Sequence, residues 1–330
     1  MNFKPPAFIQ HAPEEIIYES VPYNDLYDVL GVSEKGMKLE RMQNTAYVFP
    51  LGFYRVVCQT AGTTEFIKVL PLGFQFYEEF GLKIENEMHR DQIPSRTLVL
   101  DSIKYSGETF CVIRGRYIEF EKFSPSRHSL YDLGYYLNCV HQFLENKSHE
   151  DVKANWIKRK SSFDKVLSCL LNMSLNHPIS GLVLTSRHID IITNYYHLLE
   201  FDLDSAQIIH GDLNLGNVLW TRQSPMVIDF ENASYSYMPR SYDLGMLAQR
   251  LLIDILDIDK RLESQSQLLL GYGYDANESL TSGMIGMSVR SLMILLERSL
   301  LKGFKVPQYE WDKFIKLIDD AIKLDAYMKG

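Results

Sequence analysis

The chain has 330 residues, 46% of them hydrophobic, and a formal net charge of −8 at pH 7. This size and apolar content predict a globular protein with room for two lobes. The acidic balance argues against a nucleic-acid partner, and no apolar run approaches the roughly 20 residues that span a bilayer, so we expect no membrane partner. Four widely spaced cysteines and a start without a leader-like apolar segment predict a cytoplasmic protein with reduced thiols.

Short runs of β-branched and aromatic residues predict an antiparallel sheet in the first third of the chain. The predicted strands are residues 47–49, 54–59, 66–70, 97–103 and 109–113. One helix lies between the third and fourth strands, because apolar residues recur every four positions from Phe76 to Met88. After Ile113 the pattern is helical almost throughout. The sequence thus predicts an α+β fold with a β-rich lobe (1–113), a hinge (114–117) and a larger mostly α-helical lobe (118–330).

The most informative segment is residues 210–217, His-Gly-Asp-Leu-Asn-Leu-Gly-Asn, which is followed by Asp229 twelve positions after Asn217. Phosphoryl transfer needs an aligned nucleophile and neutralised phosphate charge more than it needs covalent help. Asp212 can accept the proton of a hydroxyl group, and Asn217 and Asp229 offer the oxygen ligands that magnesium prefers. A polar turn beside a charged strand end is the alternative, but it would need three suitable residues to coincide by chance.

The same segments resemble the aminoglycoside phosphotransferase and choline kinase superfamily, the small-molecule branch of the protein-kinase-like fold. Residues 210–217 resemble its catalytic loop, and Ile228-Asp229-Phe230-Glu231 resembles its metal-binding segment. Residues 133–141 resemble the helix that ends in Leu-His in these enzymes, and residues 242–245 resemble the Asp-Leu segment that braces the active site.

The resemblance implies a bilobal protein-kinase-like fold and a role for each matching residue. Asp212 corresponds to the catalytic base, Asn217 and Asp229 to the ligands of Mg²⁺, and Asp243 to the brace of the site. His210 is read as a hydrogen-bonding support, since Asp212 already supplies the base. The implied substrates are ATP or GTP as phosphate donor and a small-molecule alcohol as acceptor.

Lys68 lies in a predicted strand among apolar neighbours, where an ammonium group needs an anionic partner. In the family that the chain resembles, a strand lysine contacts the α- and β-phosphates and pairs with a helix glutamate. Four glutamates compete for that pairing: Glu78, Glu79, Glu85 and Glu87. At about 100° per residue, Glu87 falls within the apolar stripe and Glu85 points away, which favours Glu87. An edge-strand lysine with its ammonium in solvent is the alternative reading of Lys68.

The other nucleotide contacts follow from chain order. Asn44 and Thr45 lie in a glycine-free loop before Tyr47, and their backbone and side-chain donors suit phosphate. The purine should pass residues 112–117, which makes Val112, Arg114 and Arg116 further candidates for nucleotide binding.

The acceptor is the least defined part of the prediction. Glu231, Tyr235 and Tyr237 are candidate substrate residues, because their stretch resembles choline and ethanolamine kinases and tyrosines can form a cage for a quaternary ammonium. Packing between helices is the alternative role for the tyrosines. The acidic chain favours a cationic acceptor that is aminoglycoside-, choline- or thiamine-like. A protein Ser/Thr kinase of the same fold and a non-catalytic nucleotide-binding pseudokinase remain open as alternatives.

Overall fold

The computed structural model describes residues 17–22, 25–32, 36–43, 47–59, 62–121, 123–124, 128–172, 186–255, 257–275 and 279–329. The predicted phosphate-loop residues Asn44 and Thr45 lie outside these ranges. The chain forms two compact units. The sheet unit takes in the chain up to His128 together with Leu215–Glu231, and the helical unit takes in Ser129–Asn214 and the chain from Asn232 onward.

The sheet unit contains a six-stranded antiparallel sheet in the order β1-β2-β3-β4-β6-β5. Its elements are β1 (Tyr18–Ser20), α1 (Asp25–Val29), β2 (Met37–Met42), β3 (Gly52–Cys58), β4 (Thr63–Pro71), α2 (Gln75–Arg90), β5 (Leu98–Tyr105) and β6 (Glu108–Arg116). Strands β5 and β6 are joined by Ser106-Gly107, whose φ angles of 50° and 83° suit a tight hairpin turn. The predicted antiparallel sheet with one main helix is confirmed, although residues 47–49 do not form the predicted strand and β1 and β2 were not predicted.

One face of this sheet packs on α1 around a core of alternating strand residues. Tyr54, Ile67, Val69 and Val112 are buried there against Leu26 and other apolar residues of the first segment. Because side chains alternate along a strand, Lys68 between Ile67 and Val69 points to the opposite face.

Strand β6 continues through Arg116, so it includes three of the four residues (114–117) of the predicted hinge. Val112 pairs with Val69 and Asp101 inside the sheet, and Arg114 and Arg116 are also paired with β4. The Arg-Gly-Arg sequence lacks the apolar residues that mark a strand, yet Gly115 is needed there. A Cβ at this position would lie 2.6 Å from Leu98 Cδ2 and 2.8 Å from the Thr97 carbonyl oxygen.

Seven helices dominate the described part of the helical unit. They are α3 (Leu130–Glu145), α4 (Glu150–Asn172), α5 (Ser186–Tyr195), α6 (Ser241–Leu252), α7 (Ile258–Tyr272), α8 (Thr281–Lys302) and α9 (Gln308–Lys329). A short ribbon pairs β7 (Gln207–Ile208) with β10 (Tyr237–Met238), while β8 (Val218–Trp220) and β9 (Pro225–Val227) form a hairpin in the sheet unit. Within the described ranges, no helix has both the length and the apolar character of a membrane span.

Helices α3 and α7 approach each other at two glycines. A Cβ on Gly134 would collide with the Leu268 carbonyl oxygen, and one on Gly271 would collide with the Tyr131 carbonyl oxygen. The two backbones are therefore in direct contact, which only residues without a side chain permit. This contact fixes α3, which carries His141.

We predict that Gly271→Ala lowers the free energy of unfolding by about 1–3 kcal/mol, because the added methyl group forces the helices apart. Urea denaturation followed by circular dichroism measures the change. Gly73→Ala is the control, since a Cβ there would meet nothing within 4 Å. Equal effects of the two substitutions would contradict the close helix contact.

Candidate active site

Lys68 is the centre of the site in the sheet unit. It lies on β4, between β3 and β6, and is only 5% exposed. Its Nζ lies 2.7 Å from Glu78 Oε1, 2.9 Å from Asp229 Oδ1 and 3.5 Å from Glu231 Oε2. A buried ammonium group is stable only with such partners. The alternative of an edge-strand lysine in solvent does not hold.

The three carboxylates more than balance the charge of Lys68. Burial opposes the ammonium form, but Asp229, Glu78 and Glu231 outweigh it and raise the pKa of Lys68 well above its usual value. Burial, reinforced by the charges of Asp229 and Glu231, raises the pKa of Glu78 well above that of a free glutamate. The cluster thus carries excess negative charge and would be stabilised by a further cation.

A magnesium ion fits this donor set. Glu78, Asp229 and Glu231 each offer one oxygen, and these atoms lie within 4.8 Å of one another. Carboxylate oxygens are the ligands that Mg²⁺ prefers. Asn217 ends the helical turn before β8, and its carbonyl oxygen accepts a hydrogen bond of 3.0 Å from the Ile228 N–H. The β8–β9 hairpin therefore keeps the backbones of Asn217 and Asp229 close together.

Asp229 has an unusual backbone conformation that Glu85 stabilises. Its φ of 70° is left-handed, which is uncommon for a residue with a side chain. Its N–H donates to Glu85 Oε1 at 3.0 Å. Both oxygens of Glu85 in turn accept hydrogen bonds of 2.7 Å from Arg96, and Glu85 is 1% exposed. The helical period predicted that Glu85 points away from the buried face of α2, and this prediction is wrong. Arg96 was not among the predicted site residues.

Gly81 lets α2 pack against the segment that follows Asp229. A Cβ on Gly81 would lie 2.8 Å from the Glu231 nitrogen and 2.9 Å from the Phe230 carbonyl carbon. Any side chain here would push the helix away from this segment. A glycine in the interior of an otherwise regular helix is the sequence signal for such an approach.

The predicted pairing of Lys68 with Glu87 is wrong. Glu78 pairs with Lys68, whereas Glu87 lies 3.7 Å from Arg90. The helical period was correct, but the stripe was anchored on Phe76, which is exposed. The buried residues of α2 are Glu78, Gly81, Ile84, Glu85 and Met88, a face rotated away from Phe76.

We predict that Glu85→Gln lowers the free energy of unfolding by about 3–5 kcal/mol, because it leaves Arg96 buried without its counter-charge. Chemical denaturation measures the loss. Glu87→Gln, the same change two residues along the helix, should shift stability by about 0.5 kcal/mol or less. A larger effect at Glu87 than at Glu85 would reverse this assignment of the helix faces.

In the helical unit, Asp243 holds the backbone of the predicted catalytic loop. Asp243 is 0% exposed, and its oxygens accept hydrogen bonds from the His210 N–H at 2.7 Å and the Gly211 N–H at 2.9 Å. His210 Nδ1 in turn accepts a hydrogen bond of 3.2 Å from the Asp212 N–H. The conformation of the loop that presents Asp212 therefore depends on two buried side chains.

His141 links this brace to α7. Its Nε2 lies 3.2 Å from Asp243 Oδ2, and its Nδ1 lies 2.7 Å from the Tyr272 hydroxyl. Burial alone would raise the pKa of Asp243, but His141, the charge of His210 and the Gly211 N–H hold it below the usual value for aspartate. Asp243 is therefore a charged acceptor within the core.

Arg290 is a further loop contact that sequence analysis did not identify. Its guanidinium donates to the Gly211 carbonyl oxygen at 3.0 Å and to Ser236 Oγ at 2.9 Å. Gly211 has a φ of 77°, and a Cβ there would collide with the Ser236 side chain. An arginine within the apolar stretch of α8 is the signal that was available in the sequence.

The two candidate substrate tyrosines already contact cations of the protein itself. The Tyr235 hydroxyl donates to Asn232 Oδ1, and the guanidinium carbons of Arg159 and Arg290 lie 4.9 and 5.7 Å from the Tyr235 ring centre. Tyr237 is 4% exposed, and Lys153 Nζ lies 5.8 Å from its ring centre. These contacts match the packing role that sequence analysis kept as an alternative.

We predict that Asp243→Asn lowers the free energy of unfolding at pH 7 by about 3 kcal/mol, because a charged acceptor of two backbone N–H groups is lost. The folded-state pKa of Asp243 lies below its unfolded value of about 3.9, so its contribution is present above about pH 4 and disappears as the pH falls through the lowered pKa. The stability difference between the two proteins should therefore narrow as the pH falls below about 4. Urea titrations at each pH test this.

Asp254→Asn provides the control, since Asp254 is an exposed aspartate of the same unit. Asp254→Asn should alter the free energy of unfolding little at any pH of the series. A difference between wild type and Asp243→Asn that stays constant or widens on acidification would contradict the lowered pKa.

The chain resembles known phosphotransferases in part of its sequence and in its fold. Residues 125–276 match the phosphotransferase enzyme family, APH. Aminoglycoside phosphotransferase APH(3'')-Id from Streptomyces rimosus, in complex with ADP and streptomycin, is 12% identical over 81% of this chain and 97% of its own, with a TM-score of 0.56. Spectinomycin phosphotransferase APH(9)-Ia, in complex with ADP and spectinomycin, is 13% identical over 94% and 99%, with a TM-score of 0.57.

An ethanolamine kinase from Plasmodium vivax is 13% identical over 87% of this chain and 82% of its own, with a TM-score of 0.54. None of the curated proteins matches the chain. At these identities the solved structures establish the fold, which is that of the kinase-like phosphotransferases. The predicted resemblance to the aminoglycoside phosphotransferase and choline kinase superfamily is confirmed.

Proposed function

We propose that the protein transfers the γ-phosphoryl group of ATP or GTP to a hydroxyl group of a small molecule. The observation that carries the proposal is the buried ammonium of Lys68 among Glu78, Asp229 and Glu231. A strand lysine, a helix glutamate and an aspartate behind the catalytic-loop segment are the groups that bind a nucleotide with its metal in kinases. The family match over 125–276 includes residues 210–217 and Asp229.

On the nucleotide side, Lys68 binds the α- and β-phosphates and Glu78 positions its ammonium group. Asn217 and Asp229 would hold Mg²⁺, which would neutralise charge on the phosphates when bound. Glu231 offers a further oxygen to this site. We keep Asn44 and Thr45 as candidate phosphate contacts and Val112, Arg114 and Arg116 as candidates near the purine. The lobes 1–113 and 118–330 with a hinge at 114–117 likewise remain a proposal.

On the acceptor side, Asp212 is the base. The hydroxyl oxygen of the acceptor forms a bond to the γ-phosphorus, and the bond from that phosphorus to the β,γ-bridging oxygen breaks. The hydroxyl proton passes to the Asp212 carboxylate, and the nucleoside diphosphate leaves with the electron pair. His210 and Asp243 hold the backbone on which Asp212 is presented.

The two alternative functions have less support. Twelve residues, 231–242, separate Phe230 from Asp243, and they include a helical turn and β10, which leaves little chain for a peptide-docking activation segment. A pseudokinase has no need for a complete set of Lys68, Asp212, Asn217 and Asp229. A small-molecule acceptor therefore remains the best-supported reading.

We predict that Asp212→Asn lowers kcat by about 10²- to 10⁴-fold, because the proton acceptor is lost, while the Kd for magnesium-ATP changes little. Transfer of label from γ-labelled ATP is measured with a panel of alcohols (aminoglycosides, choline, thiamine and homoserine), and nucleotide affinity by calorimetry. Asp204→Asn, an exposed aspartate of the same unit, is the matched control. Wild-type transfer rates in Asp212→Asn, or a wild-type chain that binds no magnesium-ATP, would contradict the proposal.

A further inference from the structure

Four helices of the helical unit contribute cationic side chains near the catalytic-loop segment. These five residues, which we call the basic cluster, are Arg159 on α4, Arg250 on α6, Arg290 and Arg298 on α8, and Lys313 on α9. The proposed function does not explain why five cationic side chains lie together in this part of the unit.

Contacts divide the basic cluster into two groups. Arg159 and Arg290 lie over the Tyr235 ring, and Arg290 also donates to the loop at Gly211. Arg298 belongs to the same group, since it interacts electrostatically with Tyr235 and Arg159. Arg250 and Lys313 lie over the Phe314 ring, at 5.7 and 4.7 Å from its centre.

Asp212 interacts electrostatically with members of both groups. Burial lowers the pKa of Arg250, Arg290 and Lys313, and the nearby Asp212 carboxylate acts in the opposite direction on all three. The predicted base therefore lies within a field of positive charge.

Few carboxylates balance this charge. Glu297 lies 3.8 Å from Arg159, and Glu310 lies 2.7 Å from Lys313. Within the described part of the chain, Arg250, Arg290 and Arg298 form no ion pair. Carboxylates act on these three arginines only from beyond ion-pair distance: Asp212 and Glu310 on Arg250, Asp212 and Asp243 on Arg290, and Glu297 on Arg298. A guanidinium without a close counter-ion in a partly buried place is unfavourable, so an anion bound beside it would be stabilised.

Several guanidinium donors in the basic cluster are also unused. Among the described residues, none accepts a hydrogen bond from Arg250 or Arg298, both of which are half-buried. The Nε atoms of Arg159 and Arg290 are buried and also lack an acceptor among those residues, and Arg290 as a whole is 4% exposed. Unengaged guanidinium forks match the oxygens of carboxylates and phosphates.

We propose that the acceptor alcohol carries an anionic oxygen group, a carboxylate or a phosphate, which the basic cluster binds with Arg250 and Arg298 as its available donors. The inference rests on the proposed function, since it assigns the chemical class of the acceptor. It replaces the cationic acceptor expected from composition. The net charge of −8 describes the whole chain, whereas the charge that an acceptor meets is the local one around Asp212.

The test measures binding of four small probes to the full chain, saturated with magnesium and a non-hydrolysable ATP analogue. D-Glycerate is an anionic alcohol, glycerol its neutral counterpart, choline a cationic alcohol, and inorganic phosphate an anion without a carbon skeleton. At constant ionic strength, glycerate or phosphate should bind at least about 10-fold more tightly than glycerol and choline. The stronger of these two anions indicates whether the site favours carboxylate or phosphate.

Arg250→Gln and Arg298→Gln should each weaken that anion binding by about 10-fold, since each removes a charged donor. Lys302→Gln removes an exposed cation from the same helix as Arg298 and should leave it unchanged. Melting temperatures establish that each variant is folded. If a variant does not fold, the wild-type chain alone tests the inference, which requires that glycerate or phosphate bind more tightly than choline.

Tighter binding of choline, no binding of either anion, or wild-type anion affinity in both arginine variants would overturn the inference. Failure of the proposed function is distinguishable from these outcomes. Asp212-dependent transfer of phosphate to choline would keep the kinase and remove the anionic acceptor. Binding of glycerate by a chain that binds no magnesium-nucleotide would keep the anion site and remove the kinase.

Discussion

A positive charge buried in the middle of a β-sheet determines which groups must pack around it in the sheet unit. Lys68 would be unstable in the sheet unit without carboxylates at close range. Those carboxylates come from α2 and from the segment after β9, so both must pack against the same face of the sheet. Gly81 allows the required approach, and Glu85 holds the backbone of Asp229 in place. The charge of one lysine thus accounts for the placement of two distant parts of the chain.

The sequence was sufficient to predict the polar segments but not the rotation of α2. Residues 210–217 and Asp229 are recognisable because polar groups are fixed between apolar runs. The four-residue period also located α2 correctly. Its buried face could not be inferred, because that face is set by contact with the chain after Asp229, far away in sequence. Phe76 looked like a core residue, yet it is exposed, and this error led to Glu87 instead of Glu78.

Other features escaped prediction because their residue types are ambiguous. Gly115 between two arginines looks like part of a linker. It lies in β6, however, and its lack of a side chain lets β6 pack closely on Leu98 of β5. Arg290 lies in an apolar helix, and its contact with Gly211 depends on the path of a loop about 80 positions earlier. Local patterns carry no record of such distant partners. By contrast, the fold class followed from the switch between two-residue and four-residue periodicity, which is a local property.

Helix α2 carries both Glu78 and Glu85, two turns apart on one face. The first contacts the ammonium of Lys68 and the second contacts the backbone of Asp229. Because a helix moves as a nearly rigid rod, neither contact can be released without straining the other. Displacement of α2 would therefore break the contact with Lys68 and the contact with Asp229 together.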